Sequence, residues 1–344
     1  MIFIKISKIK NIKIVLDREY MFLFFKKRQK VFLKNKEKLT DLNIDLVRNF
    51  RGKFRNMSLK YELTTNYGRK TIRARIHKFQ DSPLRDGRVL KFLKNNGLGK
   101  NIPRFLYYYK PLNILFYLEA PGISLEFLLA SKKVNSLLKF TPRITVYLRK
   151  IHNLKRKPLF LPIKDVKQEK KEHRHWFFLV RKCGPELYQR FSLLLKELWL
   201  LRRNKKELFL ISSGFSLVHS DFHWGNVVCQ GKRFFFFDFC YAFYGDPLED
   251  VGGFLAQNDS MFRYYAPGLI SKAKKIRQNF LKAYFRGLPD KSQQFRLLYF
   301  EIRKTLEMAA ILSLVEINKD NKIKGMTTLL AKAEIKLKEL RKMR

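Results

Sequence analysis

Residues Leu217–Val251 read LVHSDFHWGNVVCQGKRFFFFDFCYAFYGDPLEDV, and this stretch decides the fold. It carries two acidic positions, Asp221 and Asp238, on either side of a hairpin-like segment. Asp238 ends an apolar run of four phenylalanines, and a Gln-Gly-Lys turn precedes that run. An apolar run of this length, bounded by such a turn, favours a buried strand. The stretch therefore predicts strand, tight turn and strand, with an acidic residue before and after.

The polar residues around this hairpin have the types and the order that phosphoryl transfer requires. Asn226 lies five residues after Asp221. Phosphoryl transfer needs one Asp to orient a hydroxyl, and an Asn and a second Asp to hold divalent metal on the phosphates. We therefore expect Asp221 to be catalytic and Asn226 and Asp238 to bind Mg²⁺, which prefers oxygen ligands. His219 is expected to organise the loop by hydrogen bonding. The alternative is a hairpin with surface acids.

Three blocks in this stretch resemble one known family. They are HSDFHWGN from His219, FFDF from Phe236 and GDPLED from Gly245, in this order and at short spacing. Together they resemble the motifs of the aminoglycoside phosphotransferase and choline kinase superfamily. The resemblance implies an ATP- and Mg²⁺-dependent kinase that phosphorylates a hydroxyl of a small molecule, sugar or lipid headgroup. Asp250, in the last block, either braces the catalytic loop or caps a helix.

The same resemblance implies an α+β, two-lobed protein-kinase-like fold. Its small lobe is an antiparallel β-sheet and its large lobe is mainly helical. We expect a basic segment of undecided structure at 1–42, a nucleotide-binding lobe at 43–120 and a helical catalytic lobe at 121–344. Within the small lobe, strands are expected from Met57 and from Thr71, joined by an Asn-Tyr-Gly turn.

The nucleotide-binding residues follow from the resemblance. They are a glycine in the loop after the first strand, a strand lysine with its acidic helix partner, and the hinge: Gly52, Lys78, Asp86, Leu118, Glu119 and Ala120. Strand alternation puts Lys78 on one face with Ile76, at the end of an apolar row. Arg75 takes its place if the register is shifted by an odd number. The alternative for Lys78 is a strand-end lysine that reaches water.

The chain is strongly basic. Its formal net charge is +44 over 344 residues. Such a surface either meets anionic molecules or reflects a biased composition, and the even spread of the charge along the chain favours the second explanation. A positive surface should nevertheless repel cationic acceptors, so a neutral or anionic acceptor is expected. Acids such as Asp259, Glu301 and Glu307 would reverse this preference if they line the pocket.

Three cysteines without a Cys-x-x-Cys pair argue against a disulfide scaffold and a zinc site. No apolar run approaches the length of a membrane-spanning helix, so a cytoplasmic location is expected, with contact at a membrane surface or an anionic polymer as a lesser alternative. The lysine-rich segment 155–175 is expected to be an exposed loop, with His173 and His175 at the surface. Beside the kinase, two other functions stay open: a pseudokinase-like nucleotide-binding module and a basic nucleic-acid-binding protein.

Overall fold

The computed structural model describes residues 13–49, 57–76, 81–209, 214–315 and 317–343. The chain divides into two compact units, one up to Pro121 and the other from Gly122 onward. The first unit is built on an antiparallel sheet and the second is mostly helical, which is the α+β architecture predicted from the sequence.

The small unit consists of one five-stranded sheet with helices on both faces. Its strands follow the spatial order β1-β2-β3-β5-β4, and the neighbours are antiparallel. The elements in chain order are α1 (Arg18–Lys27), α2 (Gln29–Phe32), β1 (Leu39–Asn49), β2 (Met57–Thr65), β3 (Gly68–Ile76), α3 (Asp81–Leu93), β4 (Phe105–Tyr109) and β5 (Ile114–Leu118). The predicted hairpin between β2 and β3 is present, with Thr65 paired to Gly68 across the turn. Gly68 has a φ of 123°, a conformation that favours glycine.

The N-terminal helices complete the core of the small unit. Met21, Phe24 and Phe25 lie at helical spacing on α1 and are buried. The rings of Phe24 and Phe25 join Phe32 of α2 and Phe116 of β5 in one aromatic cluster, and the ring centroids of the Phe25 contacts lie 4.8–5.6 Å apart. Burial of each such side chain contributes about 1.5–3 kcal/mol. The segment whose structure the sequence left undecided therefore supplies part of the hydrophobic core, and β1 begins at Leu39, inside it.

The two faces of β3 meet different helices. Ile72 and Ala74 are buried in the cluster formed with α1 and α2, and Ile76 packs against that cluster, as the alternation predicted. Arg75 lies on the opposite face, directly across from Leu115 of β5. A side chain at Gly87 of α3 would come within 3.1 Å of Leu115, so α3 covers this opposite face.

The large unit packs helices around a small group of strands. Its elements are β6 (Ile123–Ser124), α4 (Leu125–Ala130), α5 (Val134–His152), α6 (Val166–Val180), α7 (Pro185–Asn204), β7 (Ser216–Val218), β8 (Val227–Gln230), β9 (Arg233–Phe236), β10 (Phe243–Gly245), α8 (Leu248–Tyr265), α9 (Ile270–Phe285), α10 (Lys291–Leu312) and α11 (Lys319–Lys342). α8 is the central helix, since most of its residues are buried, and it packs closely on α10. At Gly252 of α8 an added Cβ would lie 2.8 Å from the Glu301 backbone nitrogen, so this crossing requires glycine. In the described part of the chain, no helix has the length and apolar character needed to span a membrane.

The expectation of an exposed loop at 155–175 is wrong for its second half, which begins α6. The Asp165 side chain caps this helix by accepting from the Gln168 amide. Its buried face carries Glu169, His173 and Trp176. The first two of these residues are polar, so hydropathy alone did not reveal the start of the helix. Its carboxylate is compensated by Arg202, whose Nε lies 2.7 Å from Glu169, and His173 is buried, contrary to its predicted surface position.

The buried His173 should make stability depend on pH. Burial lowers the pKa of His173 to about 4, and the positive charge of Arg303 acts in the same direction. Between the ordinary pKa of 6.5 and about 4 the unfolded chain binds a proton that the folded chain excludes, so stability is complete above pH 6.5 and falls as the pH drops through this window. At pH 5 the loss should be about 2 kcal/mol relative to pH 7.5. Urea unfolding at both pH values should show that His173→Phe removes this part of the pH dependence.

His175 provides the matched control, because it is exposed on the same helix. His175→Phe should keep the pH dependence of the wild type. A His173→Phe variant whose stability falls with pH as steeply as that of the wild type would contradict the assignment.

Candidate active site

The loops that flank the β8–β9 hairpin bring the predicted acidic residues together. β7 pairs with β10, and the loop with Asp221 leaves the end of β7. In the hairpin Val227 pairs with Phe236, and the Phe237 amide donates to the Asn226 carbonyl oxygen at 3.3 Å. Asn226 and Asp238 therefore lie on neighbouring chain segments at the open end of the hairpin.

Asn226 also contacts Asp221. Its Nδ2 donates to the Asp221 backbone oxygen at 2.8 Å and lies 3.3 Å from the Asp221 carboxylate. Because the amide nitrogen is used within the loop, the amide oxygen is the end of Asn226 that remains for a cation. The predicted trio of Asp221, Asn226 and Asp238 thus forms one local arrangement on two consecutive loops.

Asp221 is held as an ionised carboxylate. Its Oδ2 lies 3.5 Å from His223 Nε2, and its Oδ1 lies 3.5 Å from Lys304 Nζ. Burial raises the pKa of Asp221, but the neighbouring His223 and Lys304 side chains more than offset this and hold the pKa well below its usual range. The group can accept a hydrogen bond from a hydroxyl at any physiological pH.

His219 is hydrogen-bonded through both ring nitrogens, and its part in catalysis stays a prediction. Its Nε2 lies 3.0 Å from the Phe237 carbonyl oxygen, to which it donates, and its Nδ1 accepts from the Asp221 amide at 3.3 Å. These two bonds define a neutral ring with the proton on Nε2. The side chain is fully buried and ties the loop of Asp221 to the segment that leads into Asp238.

Asp250 braces the catalytic loop, which decides between the two roles considered from the sequence. Its carboxylate accepts from the His219 and Ser220 amides, both at 2.7 Å, and from His152 Nε2 at 3.0 Å. Ser220 has a φ of 73°, and this left-handed conformation turns its amide toward the same carboxylate. Tyr284 in turn donates to His152 Nδ1 at 2.7 Å. Burial, assisted by the Asp250 charge, raises the pKa of Tyr284, so the phenol stays a donor.

Asp238 follows β9, and its role as a metal ligand stays a prediction. It has a left-handed φ of 72° just after β9, and Cys240 Sγ donates to its Oδ1 at 2.9 Å. Asp238 and Asn226 together offer carboxylate and amide oxygens, the donor set that Mg²⁺ prefers. Among the residues that the structure describes, no group of three His, Cys, Asp or Glu side chains is placed to hold a metal ion. The pair fits a cation that takes its remaining oxygens from phosphates and water.

The small unit holds the residues assigned to the nucleotide, and only some are described. Leu118 ends β5, and Glu119 accepts from Arg73 Nε at 2.7 Å. Asp86 is buried on α3, which covers the face of the sheet that carries Arg75. This placement favours Arg75, the rival candidate, as the cation near Asp86. Gly52 and Lys78 lie outside the described residues, so their roles stay predictions, as do those of Leu118, Glu119 and Ala120.

Lys304 and His223 are site residues that the sequence did not predict. His223 lies two residues after Asp221, within the first motif block, where no role was predicted for it. Lys304 comes from α10, far away in the chain. A signal was present, since Arg296 and Arg303 lie two turns apart on one face of α10, among buried apolar residues. Buried cations at such positions require carboxylate partners, which the sequence alone does not locate.

The sequence and the fold both have counterparts among known proteins. Residues 58–290 match the phosphotransferase enzyme family. No curated protein sequence is similar enough to count as a relative of the chain. Among solved structures, a choline kinase from Cryptosporidium parvum has a TM-score of 0.63 at 14% identity, over 95% of this chain and 97% of that chain.

Two further similar structures contain nucleotides. An ADP-bound aminoglycoside phosphotransferase is 18% identical, with a TM-score of 0.55 over 90% of this chain and 96% of that chain. An amicoumacin kinase in complex with AMP-PNP and Ca²⁺ is 15% identical, with a TM-score of 0.59 over 95% of this chain and 96% of that chain. At such identities the likeness shows the two-unit kinase-like fold.

Proposed function

The chain belongs to the phosphotransferase enzyme family, and we propose that it transfers the γ-phosphate of ATP to a hydroxyl of a neutral or anionic small molecule, sugar or lipid headgroup. The observation that carries this proposal is the arrangement of Asp221, Asn226 and Asp238. Asn226 is hydrogen-bonded to Asp221, and the hairpin brings it next to the segment of Asp238. This is the set of groups that positions a hydroxyl and a metal-bound phosphate.

Asp221 orients the acceptor hydroxyl. As an ionised carboxylate it accepts a hydrogen bond from the hydroxyl group. This hydrogen bond points an oxygen lone pair of the hydroxyl toward the phosphorus atom. Its low pKa makes it a weak base, but the transition state of phosphoryl transfer is loose and requires little activation of the nucleophile. Positioning therefore supplies most of its effect. His219 and Asp250 fix the backbone that carries it.

Asn226 and Asp238 hold the divalent cation, which we assign as Mg²⁺. When bound, the ion would offset the negative charge that the phosphates carry. Asn226 contributes its amide oxygen and Asp238 its carboxylate, and the hydrogen bonds from Asn226 Nδ2 to Asp221 keep the amide in that orientation. In the small unit, the backbone of Leu118, Glu119 and Ala120 would bind the adenine, and Arg75 or Lys78 would bind the phosphates, with Asp86 as partner and Gly52 in the phosphate loop.

The charge of the protein favours acceptors that are not cationic. Glu301 is buried and paired with Arg277 and Lys336, and Glu307 is paired with Lys304. Two of the three acids that would have reversed the preference are thus engaged with cations. The surface field attracts anions at long range, and salt screens it over a Debye length of about 8 Å at physiological ionic strength.

A screen of phosphate transfer from radiolabelled ATP to small hydroxyl compounds tests the proposal. Neutral sugars and anionic hydroxy acids should accept phosphate, whereas kanamycin and choline should be poor acceptors at low salt. Because the field acts on association, it changes mainly kcat/KM. The difference in kcat/KM between the neutral or anionic acceptors and the cationic ones should therefore narrow as salt is raised. Efficient phosphorylation of an aminoglycoside at low salt would contradict the acceptor assignment. Tight ATP binding without hydrolysis or transfer would instead favour a nucleotide-binding module.

A further inference from the structure

Lys304 lies beside the catalytic carboxylate. It belongs to α10, and its side chain is about one-tenth exposed. The ammonium lies 3.5 Å from Asp221 Oδ1, 3.4 Å from the Ser220 carbonyl oxygen and 3.4 Å from Glu307 Oε2. Three oxygens, two from the loop of Asp221 and one from α10, therefore surround one cation beside the Asp221 carboxylate.

None of these three contacts is a close ion pair. The Lys164 ammonium lies 2.7 Å from Glu249, and that of Lys336 lies 2.6 Å from Glu301. Lys304 is instead shared among oxygens at the outer limit of hydrogen-bonding distance. An ammonium has three donors and can turn toward a stronger acceptor without breaking a short bond. Lys304 is thus a cation beside this loop that can engage a further anion.

The Lys304 side chain stays protonated. Burial lowers its pKa, but the carboxylates of Glu307 and Asp221 more than compensate, so the pKa lies above its ordinary value. Glu249, on the first turn of α8, adds a smaller contribution of the same sign. A permanent positive charge therefore lies within 4 Å of the catalytic oxygen.

We propose that Lys304 determines the charge of the acceptor, selecting molecules whose reacting hydroxyl lies next to an anionic group. The inference rests on the proposed phosphotransferase function and names a residue for its substrate class. The Lys304 ammonium occupies the place beside Asp221 where a cationic acceptor would put its own charge. Two cations there repel each other, whereas a carboxylate or phosphate on the acceptor gains an ion pair.

Three matched acceptors test this: glycerate, glycerol and 3-amino-1,2-propanediol, which differ only in the group next to the diol. Wild-type kcat/KM should decrease in that order. In Lys304→Met the ratio of glycerate to the amine should fall by about tenfold to a hundredfold, mostly through KM, since one close charge contact is lost. Lys304→Arg keeps the charge and should preserve the order. A compound that is not phosphorylated is compared by its inhibition constant for ATP hydrolysis.

Lys336→Met is the matched control. Lys336 belongs to α11, and its ammonium pairs with the buried Glu301 of α10, so this variant also removes one cation from an ion pair. It should leave the ratio unchanged. Glu307→Gln is the second variant, in case Lys304→Met fails to fold; freeing Lys304 from one carboxylate should increase the ratio.

Two outcomes would overturn the assignment of Lys304 alone. One is an unchanged ratio in folded Lys304→Met or in Glu307→Gln. The other is an equal fall in kcat for all three acceptors, which would place Lys304 on the transferred phosphate. If the wild type neither hydrolyses ATP nor transfers phosphate, the proposed function itself is wrong, and the inference falls with it.

Discussion

Asp221→Asn should lower phosphate transfer by about 10³–10⁴-fold, since a positioned proton acceptor contributes up to about this much. The amide keeps the size of the carboxylate and can still accept from Asn226 Nδ2. It removes the charge that accepts the hydroxyl proton, and it leaves Lys304 with Glu307 as its remaining close carboxylate. ATP affinity should change little, because the loss falls on the acceptor side. Transfer rates and nucleotide binding by calorimetry measure the two effects separately.

Asp320→Asn is the control for Asp221→Asn, because Asp320 is an exposed residue in the first turn of α11. Its activity should equal that of the wild type. A folded Asp221→Asn variant that retains one-tenth or more of the wild-type kcat would show that another group receives the proton.

Asp238→Asn should lower kcat by about 10³-fold or more and raise the Mg²⁺ concentration needed for half-maximal activity. The carboxylate supplies the negative oxygen of the pair, and a neutral amide binds Mg²⁺ much more weakly. Asn is the suitable replacement, because Asp238 has a φ of 72°, which Asn tolerates and Ala does not. Asp238→Ala should also abolish transfer, but it adds backbone strain to the loss of the ligand.

The measurement for Asp238→Asn is a Mg²⁺ titration of activity together with thermal unfolding. The expected result is an unfolding temperature close to that of the wild type, a raised half-maximal Mg²⁺ concentration, and a kcat that stays low at saturating Mg²⁺. Asp165→Asn, the same change at the exposed N-cap of α6, where Asn caps as well as Asp, should leave the Mg²⁺ dependence unaltered. Wild-type turnover in Asp238→Asn would refute the metal assignment.

The part of the site that one stretch of sequence contains was predictable. Asp221, Asn226 and Asp238 lie within eighteen consecutive residues, so a hairpin reading and three motif blocks were sufficient to group them. Lys304 was not predictable in this way, because its contact with Asp221 depends on how α10 packs. The choice between brace and cap for Asp250 also required coordinates, since both roles use a carboxylate near a helix start.

The prediction about the fold that the structure overturns, an exposed loop at 155–175, failed because polar groups are buried there. Two strands of the small sheet, β2 and β3, were predicted together with the turn that joins them, since the turn residues mark this hairpin. The face of α6 was missed because Glu169 and His173 are buried by ion pairs and aromatic contacts, with Arg202 and Trp176 as partners. Patterns based on hydropathy assign such residues to the surface.

The aromatic cluster of α1 and α2 shows that the hydrophobic core of the small unit and the region that matches the family begin at different residues. The family match begins at residue 58, inside β2, whereas the core of the small unit already includes Val15 and Phe25. A fragment cut at the start of the match would lose the edge strand β1 and uncover the face of Leu59, Tyr61 and Ile72. The Tyr61 hydroxyl would also lose its acceptor, the Val15 carbonyl oxygen at 2.8 Å. The small unit therefore needs residues N-terminal to the family match to complete its core.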